Sequence, residues 1–304
     1  MYAIEIKNLT KNFGQKQALN GLDMTVPQGA VYGLIGENGS GKSTTEKLIC
    51  GLLVPNGGSI KLFGRDYKDA DVRAKIGVLI ESPGCFPNYS VWNNMMLQAA
   101  NLGIKNPKEE IAKVLKTVRM EGAASNKYKN CSLGMKQRIG IAFALLGNPK
   151  LLILDEPING LDADGMRIMR DVITSVTKNY NCTVVISSHI LGELEKIATH
   201  YGIVKGGRMI REMTAAELEA DCPKYVALQA ENTEAAKALL ERRYPRVTEE
   251  NGLIRVYGEV RAEEVASFLY QQLNIAVTYI KTDKIGLEEY YINLMKEANN
   301  GYGV

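Results

Sequence analysis

The chain has 304 residues, 45% of them hydrophobic and 23% charged, an ordinary balance for a globular protein able to bury a sizeable core. Its 37 Lys and Arg stand against 34 Asp and Glu, and this near balance argues against bulk nucleic-acid binding as the main role. Five cysteines without a Cys-x-x-Cys pair, and only two histidines, argue against a disulfide framework, a zinc site or a His-rich metal site and for free thiols in a reducing cytosol.

Residues 2 to 8 alternate apolar and polar and predict a strand, as does Leu22 to Val26. After the turn Pro27-Gln28-Gly29, the short apolar run Ala30 to Ile35 predicts a buried strand. It enters a glycine-rich loop and then a helix from about Lys42 to Leu53, which Pro55-Asn56-Gly57-Gly58 breaks. Ser59 to Phe63 and Ile76 to Ile80 predict further strands. Val91 to Leu146 is mostly helical in pattern, with Pro107 opening one helix. Leu151 to Leu154 and Thr183 to Ser187 are two more buried runs. Strands alternating with helices imply a parallel sheet covered on both faces.

After Met213 the character shifts. Strands are predicted at Lys224 to Leu228, Leu253 to Tyr257 and Ala276 to Ile280, and helices at Thr233 to Arg242, Ala262 to Leu273 and Leu287 to Glu297. That is a small separate α/β unit, and Asn299 to Val304 reads as a loose tail. The start, Met1 to Ile6, shows no basic region followed by an apolar run, and no stretch reaches about 18 apolar residues. Neither a signal peptide nor a membrane span is expected.

Gly36-Glu37-Asn38-Gly39-Ser40-Gly41-Lys42-Ser43 matches the P-loop pattern, between a predicted strand and a predicted helix. Glycines let the backbone turn its N–H groups toward phosphate oxygens, and the helix adds its positive end. Lys42 supplies a mobile charge for the terminal phosphates, and the Ser43 hydroxyl suits a magnesium ion. Leu151-Leu152-Ile153-Leu154-Asp155-Glu156 is a buried strand ending in two carboxylates. Asp155 suits Mg2+, and Glu156 suits the polarisation of an attacking water.

With both motifs in place, the chain resembles the ATPases of ABC transporters up to about Met213. Asn130-Cys131-Ser132-Leu133-Gly134-Met135-Lys136-Gln137-Arg138 is similar to the family signature, which usually reads Leu-Ser-Gly-Gly-Gln followed by Gln-Arg. Ser132 and Gly134 are retained; Cys131, Leu133 and Met135 depart. Ser-Leu-Gly-Met-Lys-Gln-Arg is similar to the bacitracin-resistance and lantibiotic-immunity branch. The resemblance implies a P-loop NTPase fold: a RecA-like parallel core, an antiparallel β subdomain and an inserted helical subdomain at about 83–147. The ATPase domain would be 1–213 and the small C-terminal α/β domain 214–304.

The resemblance also implies the site. ATP would be held by Gly36, Asn38, Gly39, Ser40, Gly41, Lys42, Ser43 and Thr44, with Phe13 either stacked on adenine or merely packed. Ser132, by itself a helix N-cap, and Gly134 would meet the γ-phosphate held by another subunit. Asn159-Gly160-Leu161-Asp162 resembles the D-loop, and His189 the switch histidine; His200 reads as a surface residue. Catalysis would fall to Glu156, His189 and Lys42, and Mg2+ to Ser43, Glu81 and Asp155. Glu81 stands where the family normally has Gln, as it does in the lantibiotic-immunity branch. Glu46 stands where an apolar residue is usual; a solvent-facing turn or an altered docking surface would each explain it.

The function implied is that of the ATP-hydrolysing subunit of an ABC transporter. It would work as a homodimer joined through P-loop and signature, cytoplasmic and peripheral on the inner face of the membrane. It would drive a separate integral membrane permease that exports a peptide antibiotic or drug. The alternatives are a non-transport ABC protein and a catalytically weak regulatory binder. The single cassette and the short gap between motifs disfavour the first. The presence of Lys42, Asp155, Glu156 and His189 disfavours the second.

Overall fold

The computed structural model describes residues 1–250 and 252–300, with side chains to 298. It divides into two compact units, Met1–Ala215 and Ala216–Val304.

The first unit opens with a long hairpin, β1 (Tyr2–Phe13) and β2 (Lys16–Pro27). Both strands outrun the alternating segments visible in sequence. The pairing shifts register at several points, and Asn8 sits at φ 47°, so strict alternation fails while the ladder continues. β3 (Val31–Ile35), α1 (Lys42–Ile49), β4 (Gly57–Leu62), β5 (Arg65–Asp66), α2 (Ala70–Arg73) and β6 (Ile76–Leu79) follow. Helix α1 stops at Ile49, short of the expected Leu53, because Gly51 turns left-handed at φ 71°.

A helical segment comes next: α3 (Val91–Asn101), α4 (Pro107–Thr117), two single 3-10 turns, and α5 (Leu133–Leu145). Pro107 opens α4 and Ser132 caps α5, its hydroxyl accepting from the Met135 N–H at 3.3 Å. β7 (Leu151–Asp155), α6 (Ala163–Tyr180), β8 (Thr183–Ser187), α7 (Leu191–Leu194), β9 (His200–Lys205) and β10 (Arg208–Thr214) complete the unit. Arg170 of α6 pairs with Glu193 of α7.

Two sheets result. β2-β1-β4-β5 is antiparallel; β10-β9-β3-β8-β7-β6 is parallel except for the edge pair of β9 and β10. β3 and β8 are buried at every position, which is why they read as unbroken apolar runs. One core cluster joins Ile4, Leu22 and Met24 of the antiparallel sheet, Leu48 and Ile49 of α1, and Leu34, Ile153 and Val185 of the parallel sheet. A polar link joins the same layers: the hydroxyl of buried Tyr32 donates to the exposed Glu212 at 2.7 Å, and Glu212 also accepts from the Thr25 N–H at 2.9 Å.

In the second unit α8 (Ala215–Asp221, its first residue shared with the first unit) leads to β11 (Lys224–Ala230), α9 (Thr233–Arg243), β12 (Val247–Glu250), β13 (Leu253–Tyr257), α10 (Ala262–Leu273), β14 (Val277–Lys284) and α11 (Leu287–Asn300). The sheet order β12-β13-β11-β14, with antiparallel pairings, is the split βαβ arrangement of ferredoxin-like folds. Val226, Leu228, Ile254 and Val256 pack with Ala236 and Leu240 of α9 and Val265 and Leu269 of α10. The alternate residues differ in chemistry: Arg255 lies over the Tyr225 ring at 4.9 Å and pairs with Glu289 of α11 at 2.8 Å. The tail expected from Asn299 instead continues α11 to Asn300; 301–304 lie outside the described residues.

Gly202 makes room for the Tyr32–Glu212 link, because a Cβ there would lie 2.1 Å from the Tyr32 hydroxyl oxygen. Gly202→Ala is therefore expected to destabilise the protein by about 1–3 kcal/mol in urea unfolding. Adding Tyr32→Phe, which deletes the clashing atom, should recover part of that loss.

Candidate active site

The glycine-rich loop joins β3 to α1. Gly39 and Gly41 take φ of 81° and 116°, a region open chiefly to glycine. At Gly36 a Cβ would lie 2.4 Å from the Val204 carbonyl oxygen, so only glycine fits. The curled loop folds round its own lysine. Lys42 is buried, and its Nζ donates to the carbonyls of Gly36 at 2.6 Å and Glu37 at 3.1 Å. Ser40 is also buried, with an Oγ that has no protein partner.

Across the loop lies the C-terminal end of the parallel sheet. β7 and β8 pair in a register that sets Asp155 opposite Ser187. The Ser187 hydroxyl donates to the Asp155 carboxylate at 2.8 Å and accepts from the Glu156 N–H at 3.1 Å. Glu156 leaves the strand at φ 49°, a left-handed turn that costs a non-glycine residue energy. Its carboxylate meets His189 Nδ1 at 2.8 Å. Glu156 is 24% exposed and His189 50%, so the pair sits at the mouth of the site.

A cleft of about 450 Å3, within the range of small-ligand sites, is lined by Phe13, Lys16, Ala18, Asn38, Gly39, Gly41, Lys42, Ser43, Thr44, Asp155 and Glu156. Phe13 is half exposed, with Lys11 Nζ 5.1 Å from its ring centre. The fold thus gathers the loop, both carboxylates and Phe13 from segments far apart in sequence.

Other expected residues lie elsewhere. Ser132 and Gly134, at the start of α5, are not among the residues lining this cleft. They neighbour the 159–162 loop instead: a Cβ on Gly134 would lie 3.4 Å from the Leu161 side chain, and one on Gly160 would lie 3.0 Å from Leu133. Glu81 does not line the cleft either. It is 73% exposed, has φ 65°, and pairs with Lys47 of α1 at 2.9 Å. His200, expected at the surface, is half-buried at the start of β9, its Nδ1 2.9 Å from the Thr199 hydroxyl.

Two site residues were not legible in the sequence as such. Ser187 reads there only as a strand end, although a polar residue closing a buried apolar run was a usable signal. Glu46 needs a correction. It faces neither solvent nor a docking surface: it is fully buried on α1, and neither carboxyl oxygen has a hydrogen-bond partner. Burial, and then the neighbouring Asp155 charge, push its carboxyl well above the ordinary range.

Comparison with known proteins agrees with this geometry. The ABC transporter family model matches residues 19–159. The bacitracin transport ATP-binding protein BcrA of Bacillus licheniformis is 36% identical over 297 residues, covering 96% of this chain and 97% of that one. The lantibiotic transport ATP-binding protein SrtF of Streptococcus pyogenes is 43% identical over 209 residues, 69% of this chain and 90% of its own. Among solved structures, an ATP-binding subunit of an ABC transporter superposes with a TM-score of 0.64 at 28% identity, covering 72% of this chain and 92% of that one. With a P-loop cleft carrying both carboxylates and a bacitracin transport relative aligned almost end to end, this chain belongs to the ABC transporter ATP-binding proteins and is an ATP-hydrolysing subunit.

Proposed function

We propose that the chain binds ATP in the Phe13–Lys42–Asp155 cleft and couples its hydrolysis to a separate membrane permease that exports a peptide antibiotic or a related drug. The observation that carries the catalytic part is the Glu156–His189 pair, held beside the P-loop by Ser187. Phe13 would stack on the adenine. The N–H groups of residues 38–44, the α1 N-terminus and Lys42 would hold the phosphates. To do so, Lys42 exchanges its two loop carbonyls for phosphate oxygens.

Ser43 and Asp155 offer a hydroxyl and a carboxylate in one cleft, a donor set that suits a hard cation such as Mg2+. Bound there, Mg2+ would neutralise charge on the phosphates. Glu156 accepts a proton from the attacking water, whose oxygen bonds to the terminal phosphorus as the bond to the bridging oxygen breaks and ADP leaves. His189 holds the Glu156 carboxylate in line and would contact the departing phosphate.

Ser132 and Gly134 sit away from this cleft in their own chain, which fits a composite site in which they cap the nucleotide of a second copy. ATP would then join two copies, and hydrolysis would release them. Among the described residues no helix is long and apolar enough to cross a membrane. A membrane partner in another chain fits that, and would place this subunit on the inner face of the membrane. The exposed Glu81 loop is the candidate link to it. The relatives named for bacitracin and lantibiotic transport support the peptide cargo. Of these two, the bacitracin relative aligns with 96% of this chain and the lantibiotic relative with 69%.

Glu156→Gln is expected to cut steady-state ATP hydrolysis by about two orders of magnitude or more while ATP binding and ATP-dependent dimerisation persist; sedimentation beside a phosphate-release assay reads both. Turnover that survives the change would remove Glu156 from its role. Ser187→Ala removes the hydroxyl from Asp155 and leaves the Glu156 N–H with the Ser187 backbone carbonyl at 3.2 Å. It should lower stability by about 1–3 kcal/mol and reduce kcat more than nucleotide affinity.

A further inference from the structure

The proposed site contains a carboxylate that the mechanism does not use. Glu46 lies three residues after Ser43 on α1, hence on the same face of the helix. It is 0% exposed, and both of its carboxyl oxygens lack a hydrogen-bond partner. The groups that act on it are Asp155, Ser187 and Lys42.

Ser187 and Asp155 lie close enough to act on it as hydrogen-bonding groups, but neither meets full hydrogen-bond geometry. The Ser187 proton is committed to Asp155 at 2.8 Å. Lys42 Nζ is committed to the Gly36 and Glu37 carbonyls at 2.6 and 3.1 Å. Asp155 is itself an acid. Lys47, one residue further along the helix, pairs with Glu81. Glu46 is therefore a buried acid acted on by a second, partly buried acid, with Lys42 the side-chain cation that acts on it. Burial and the neighbouring acid disfavour its ionised form, a cost that a cation taking its oxygens as donors would offset.

We infer that Glu46 is a second carboxylate of the divalent-cation site, acting with Asp155 and the Ser43 hydroxyl as oxygen donors to one ion. This rests on the assignment of Ser43 and Asp155 proposed above. Among the described residues no three acidic, His or Cys side chains converge. Protein donors would thus be two carboxylates and a hydroxyl, leaving the remaining positions of a six-coordinate ion to phosphate oxygens and water. A site with two carboxylates need not wait for nucleotide to gain affinity: the chain should capture a divalent cation before ATP arrives.

The test is a Mn2+ titration of the full-length chain without nucleotide, following the free ion by electron paramagnetic resonance. Wild type is expected to bind one Mn2+ per chain. Glu46→Gln, nearly isosteric, and Glu46→Leu should each weaken that affinity about tenfold or more, with thermal melts showing that both are folded. Asp155→Asn serves as the reference. Unchanged Mn2+ affinity in both Glu46 variants, with loss in Asp155→Asn, would overturn the role of Glu46 and leave Asp155 in place. Wild-type protein that binds no Mn2+ would also overturn it. Affinity unchanged in all three variants would instead overturn the underlying assignment of Asp155.

Discussion

Strands β7 and β8 run parallel, and their register brings Asp155 level with Ser187. From that one pairing the chemistry of the site descends. The Ser187 hydroxyl fixes Asp155 on one side and the Glu156 backbone on the other. Glu156 can then leave the strand in a left-handed turn and reach His189. Both strands are buried at their apolar positions, so the register is enforced by core packing and not by the polar groups themselves. The site is in this sense an outgrowth of the hydrophobic core, placed where ligands collect in open α/β sheets, beyond the carboxyl ends of the strands.

What could be read from the sequence follows from how local each constraint is. The P-loop is legible because its backbone needs glycine at set positions, as Gly36, Gly39 and Gly41 show. β3, β7 and β8 are legible because strands buried on both faces are unbroken apolar runs. The β1–β2 hairpin is legible only in part, since its register shifts break the alternation that betrays a half-buried strand. Helix α1 was over-extended because Leu52 and Leu53 continue an apolar pattern past the turn at Gly51. Glu46 was misread for a deeper reason. Helical spacing says which residues share a face, but what lies opposite that face depends on the sheet, and here it is Asp155. The pairing of Glu81 with Lys47 likewise depends on a fold that brings positions 34 apart together.

The second unit is built differently and read differently. In β13 the buried Ile254 and Val256 flank Arg255, whereas β11 is buried without a break from Tyr225 to Leu228. Alternation alone does not reveal strand order; the split βαβ arrangement appears only once β11 is seen between β13 and β14. The alignment with a bacitracin transport relative covers 96% of this chain and so extends into this unit. The lantibiotic transport relative is too short to carry both units.

The central claim is that each hydrolytic site needs the P-loop of one copy and the signature of another. Mixing two inactive variants tests it most directly. Lys42→Ala disables the P-loop and Ser132→Arg the signature, so homodimers of either have only broken sites. A mixed dimer has one site carrying both lesions and one carrying neither. The account predicts that ATP hydrolysis, absent from each variant alone, returns when the two are combined, and rises with the fraction of mixed dimers. A mixture that stays as inactive as its components, while still forming mixed dimers, would contradict it.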